Sequence, residues 1–172
     1  MTAEGVPAIM NLTIVPYGNA QIDTSTKTVT CQHGESECEG NLWEQCAIDA
    51  YPDFNDHFWF YYCMEGYGTS MLDHVQDCAT TASEQATQTI DYDVLSACFN
   101  DPDKAWELSQ EFAALTPADH QYTPWVEVPT GTVIQYQATF LYEICAAYEG
   151  DLPAGCPQAQ EKRCMKEGAV SK

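Results

Sequence analysis

Hydrophobic and polar positions change period several times along the chain, and each change marks an element. Ala8 to Val15 mixes apolar, β-branched residues with partial alternation and stops at Pro16-Tyr17-Gly18-Asn19, a turn cluster, which predicts a strand. Between Glu39 and Ala50, Trp43, Cys46, Ala47 and Ala50 recur at helical spacing until Pro52 interrupts. Asp53 is placed to cap a second helix whose predicted apolar face is Phe54, Phe58, Tyr61 and Tyr62. Asp101-Pro102 opens another, with Ala105, Leu108, Phe112 and Leu115 on one face and a stop at Pro117. The period then shortens. Trp125 to Val128 and Thr132 to Tyr136 flank Pro129-Thr130-Gly131 and predict a hairpin, after which Leu141, Ile144, Cys145 and Tyr148 mark a closing helix ending near Gly150. Residues 158–172 read as a loose tail.

Composition narrows what such a chain does. At 172 residues it closes one core, with residues 1–157 read as a single domain. Six basic against 26 acidic residues give a formal charge of -20, which repels phosphate backbones and anionic membrane surfaces. Nucleic acid is therefore not an expected partner. No apolar run reaches the roughly 18 residues of a membrane span, so membrane insertion is not expected, and no signal-peptide pattern is visible. Nine cysteines nevertheless point to disulfides formed in an oxidising compartment: Cys31, Cys38, Cys46, Cys63, Cys78, Cys98, Cys145, Cys156 and Cys164 are all candidates. Spacing does not fix their connectivity. Asn11-Leu12-Thr13 is a glycosylation sequon, which makes Asn11 an acceptor only if the chain enters the secretory pathway.

The remaining chemistry-bearing residues are read more modestly. His33, His57, His74 and His120 are scattered without a Ser/His/Asp arrangement or a phosphate loop and are assigned structural roles. The aromatic run Phe58 to Tyr62 is read as packing rather than a ligand box. Cys31, His33 and Cys38 lack the tight pairing of a structural zinc site, and no metal or organic cofactor is expected. For Cys31 and Cys38 a bridge around a turn at Gly34 is preferred over a redox role.

Cys31-Gln32-His33-Gly34-Glu35-Ser36-Glu37-Cys38, followed by Glu39-Gly40-Asn41 and Cys46, resembles the signature of the gamma-interferon-inducible lysosomal thiol reductase family. Val15-Pro16-Tyr17-Gly18-Asn19-Ala20 resembles the segment before that signature. His120-Gln121-Tyr122-Thr123-Pro124-Trp125 resembles a later loop, and Cys145, Tyr148, Gly150, Pro153 and Cys156 resemble the C-terminal pattern. The resemblance implies an α/β, thioredoxin-like domain with a helical insertion, here lacking the first strand and first helix. Residues 8–30 are then strand and turn, 35–116 the insertion, and 120–150 a cis-proline loop, hairpin and closing helix. It also implies reduction of disulfides in protein or peptide substrates within an acidic lumen, with Thr123 and Pro124 on the substrate side and Trp125 packing.

The family's CxxC, expected before Val15-Pro16, occurs nowhere in the sequence, so no catalytic residue is assigned. A reductase needs one activated thiolate and a second thiol to release the mixed disulfide. The chain by itself is expected to be inactive, and poorly stable for want of a central strand. The competing reading is a secreted, disulfide-rich binding protein without catalysis.

Overall fold

The computed structural model describes residues 3–135 and 139–157. The chain divides into two compact units, one of residues 13–120 and one formed by residues 1–12 with 121–172.

The first unit opens with a short antiparallel pair, β1 (Gln21–Asp23) and β2 (Thr28–Thr30), in register Gln21 to Thr30 and Asp23 to Thr28. Five helices follow: α1 (Glu35–Ala50), α2 (Phe54–Tyr67), α3 (Val75–Ser83), α4 (Tyr92–Phe99) and α5 (Pro102–Leu115). A 3-10 stretch, Gly68–His74, links α2 to α3. The caps follow from sequence chemistry. Asp53, Asp91 and Asp101 each accept a hydrogen bond from a backbone N–H in the first turn of α2, α4 and α5, satisfying donors that a helix start leaves unpaired.

Two apolar clusters hold this unit. Trp43, Ala47, Phe60, Met64, Val75, Cys78 and Leu95 form one, in which the Trp43 ring stacks on Phe99 at 4.3 Å between centroids. Tyr17, Ala20, Cys31, Cys46, Leu108 and Phe112 form the other. Disulfides cross both: Cys46–Cys98 ties α1 to α4, and Cys63–Cys78 ties α2 to α3.

The second unit contains a 3-10 helix, Val6–Ile9, and α6 (Phe140–Ala147), with a small core of Val6, Cys145 and Cys156. Cys145–Cys156 closes it.

Several expectations change here. The strand predicted over Ala8–Val15 does not form: Pro7 sits in the first turn of the 3-10 helix, and residues 10–15 have no ladder partners among the described residues. Of the hairpin at 125–136 the described residues show one bridge, Glu127 to Val133, supported by Val128 N–H to Thr132 O at 3.1 Å and Ile134 N–H to Val126 O at 2.8 Å. Tyr136 lies outside the described residues, as do Cys164 and the predicted tail. The buried side of α2 is Asp56, His57, Phe60 and Met64, whereas Tyr62 is 64% exposed. That helix is apolar around most of its circumference, so periodicity did not single out its inner side.

Candidate functional site

The signature segment forms a clasp at the start of α1. Cys31 and Cys38 are joined, with Cα atoms 5.6 Å apart, around a turn in which Gly34 N–H donates to Cys31 O. Gly34 has φ 101°, a conformation that a side chain would strain, and it is the residue from which α1 departs. Glu37 then reaches back: its carboxylate accepts from the His33 backbone N–H at 2.6 Å and lies 3.2 Å from His33 Nδ1. Glu35 and Glu37 both favour the positive end of the helix.

The Pro16 to Asn19 segment is held against this clasp by side chains of α1. Gln45 Nε2 donates to Pro16 O at 2.8 Å, and Asn41 Nδ2 to Tyr17 O at 3.4 Å. Asn19 Nδ2 donates to Gln32 Oε1 at 2.7 Å, and Asn19 Oδ1 lies 2.9 Å from His120 Nε2. Signature residues separated by up to 101 positions thus meet in one polar cluster. The sulfurs of Cys31 and Cys38 are bonded to each other, so neither is a thiolate nucleophile or metal ligand in this state. Chemically the arrangement is a lock that fixes backbone, with His33 and His120 in hydrogen-bonding roles.

In the other unit the Thr123–Pro124 bond is cis, and both residues are exposed. Trp125 is half-buried. Its indole N–H donates to Glu127 Oε1 at 2.7 Å and its ring lies 5.0 Å from that of Tyr122. Asn11 is exposed. Eight of the nine cysteines pair as 31–38, 46–98, 63–78 and 145–156.

Two buried carboxyl groups escaped the sequence reading. Asp56, in the first turn of α2, is 1% exposed and accepts from Thr87 N–H at 2.7 Å, Thr87 Oγ1 at 2.7 Å and Gln88 Nε2 at 2.6 Å. Burial pushes its carboxyl up, but the hydrogen bonds from Gln88 and Thr87 outweigh this and hold it below the ordinary range. Glu44 of α1 is 2% exposed, and its Oε1 has no hydrogen-bond partner among the described residues. Burial first, then the charge of Glu65 and a hydrogen bond with it, push Glu44 well above the ordinary range.

Comparison with known sequences gives a consistent picture. The family described as "Gamma interferon inducible lysosomal thiol reductase (GILT)" matches residues 1–82. A Carassius auratus protein named gamma-interferon-inducible lysosomal thiol reductase is 34% identical over 164 residues, covering 90% of this chain and 62% of its own length. The Mus musculus protein of the same name is 30% identical, covering 94% of this chain and 65% of its own length. An Arabidopsis thaliana gamma-interferon-responsive lysosomal thiol protein is 31% identical, with coverage of 86% and 61%. The chain therefore spans less than two thirds of the length of these relatives.

Proposed function

Because the chain belongs to the gamma interferon inducible lysosomal thiol reductase family, we propose that it serves thiol–disulfide oxidoreductase chemistry on disulfide-containing proteins or peptides. Its own contribution is scaffold and substrate-side loop. The observation that carries this division is the cystine pairing. All eight described cysteines are bonded to one another, none lies in a CxxC, and a reductase needs a free thiolate with a resolving partner. The chain by itself is accordingly inactive as a reductase.

We assign Thr123 and Pro124 to the substrate side on the family resemblance, and their exposure leaves them free to meet an extended peptide. The order of exposed loop, bridged arms and α6 supports a thioredoxin-like reading of that unit. An acidic lumenal or secreted setting fits the disulfides and the charge of -20, since carboxylates titrating near pH 4 would relieve that charge. Exposed Asn11 is then a glycan acceptor.

The test is dithiol-dependent reduction of a disulfide substrate by the purified chain. No turnover is expected. Turnover abolished by combined Cys31→Ser and Cys38→Ser substitution would overturn the scaffold reading and make the clasp a redox centre. The closed cystines also favour a second reading, a secreted binding protein without catalysis. Saturable binding of a peptide that contains no disulfide, lost in Thr123→Trp, would select that reading.

A further inference from the structure

The α1–α2 seam contains an ionisable group that the proposed chemistry does not use. Glu44 lies on the inner side of α1 between Trp43 and Ala47, both of which belong to the larger apolar cluster with Phe60 and Met64 of α2. It is 2% exposed and has no basic partner among the described residues: what acts on it is its own burial and Glu65. Its Oε1 is unpartnered among the described residues.

We propose that Glu44 is a proton-operated latch between α1 and α2: protonated, it fits the seam as a neutral group, and deprotonated, it leaves an anion among apolar side chains and loosens the two helices. This inference is independent of the redox reading.

Burial and the neighbouring Glu65 favour the neutral form. Glu65 of α2 stands at the solvent edge and interacts with Glu44, so ionising both puts like charges together. Tyr61 of α2 is half-buried, and burial, Glu65 and Glu44 raise its hydroxyl to about 12, so it stays neutral and provides no counter-charge. His57 of α2 faces Tyr51 O through its Nδ1 at 2.7 Å. The other elements packed on α1 bring Asp73 and His74 from the 3-10 stretch, Tyr92 and Asp93 from α4, and Lys104 and Glu107 from α5; none of these acts on Glu44. Lys104 of α5 is taken by Asp49 at 2.9 Å and Glu107 at 3.5 Å.

The sign follows from linkage. A carboxyl whose folded form holds its proton more tightly than the unfolded chain contributes stability below the ordinary Glu range, about pH 4.3. That contribution is lost as pH rises from there through the folded value.

The experiment is thermal unfolding of the full chain under non-reducing conditions from about pH 5 to about pH 7.5, compared with Glu44→Gln. The Tm of the unsubstituted chain is expected to fall across this range by about 5 °C more than that of the variant. Parallel curves overturn the latch. If Glu44→Gln does not fold, carbon-detected titration of the Glu44 carboxyl in the unsubstituted chain decides. A midpoint above those of the exposed Glu side chains, with faster amide exchange in α1 and α2 beyond it, supports the latch. A midpoint among the exposed side chains overturns it.

Discussion

Asp56 and Glu44 are buried to nearly the same degree, 1% and 2% exposed, yet their carboxyl groups are shifted in opposite directions, Asp56 down and Glu44 up. Asp56 is surrounded by donors: a backbone N–H, a hydroxyl and an amide converge on it from Thr87 and Gln88. Glu44 meets apolar side chains and another carboxyl. Burial alone therefore does not set the charge of a carboxyl group. The count of hydrogen-bond donors aimed at it does, because each one stabilises the anion that desolvation penalises. The difference has a structural corollary. Asp56 pins the segment after α3 to the start of α2, so its ionised form builds the fold, whereas the ionised form of Glu44 opposes it.

The contrast can be broken by removing one member at a time. The largest effect is expected for Asp56→Ala, which leaves the Thr87 and Gln88 donors without their acceptor and should cost about 3 kcal/mol in denaturant unfolding at neutral pH. A loss under 1 kcal/mol would show that water replaces the carboxylate without penalty. Next comes Glu44→Met, which substitutes an apolar side chain of similar reach and should stabilise the chain by about 1–2 kcal/mol near pH 7. The gain should shrink as pH falls toward the ordinary Glu range, where the native residue is already neutral. A pH-independent gain would mean that packing, not charge, is responsible.

The smallest effect is that of Thr87→Val, which removes one of three bonds to Asp56 and should cost about 1 kcal/mol. It also shifts the acid limb. Asp56 has a lowered folded value, so its contribution is present above the ordinary Asp range and lost as pH falls through that folded value. With one donor gone the loss should begin at higher pH, which unfolding curves below about pH 4 would record.

How much of this was legible depends on range. Local chemistry was readable: Asp53 as a cap, Asp101-Pro102 as a helix opening, Trp43 and Ala47 as an inner face, Leu108 and Phe112 likewise. The clasp residues were also found, since Cys31, Gly34 and Cys38 lie within one turn. What failed was the strand at Ala8–Val15, where a proline one residue upstream favoured a 3-10 turn over extended pairing. The β1–β2 pair was missed because three-residue strands carry too few alternations to register. Asp56 could not be read at all, because its partners lie 31 and 32 residues away. Glu44 left a fainter sign: a charged residue between Trp43 and Ala47 on a predicted inner face is a conflict between pattern and chemistry, and such conflicts deserve a structural explanation.

The cystine at Cys46–Cys98 encloses Cys63–Cys78 within its own loop, a nesting with consequences during synthesis. Of the paired cysteines, Cys31 and Cys38 emerge before the others and only six residues separate them, so they meet at once. Cys46 then waits while Cys63 and Cys78 both emerge, and its partner arrives 52 residues after it. During that interval Cys63 is the nearest available wrong partner. A correct product therefore requires either that α2 and α3 fold and close their own bridge before Cys46 reacts, or that a disulfide isomerase repairs the early mistake.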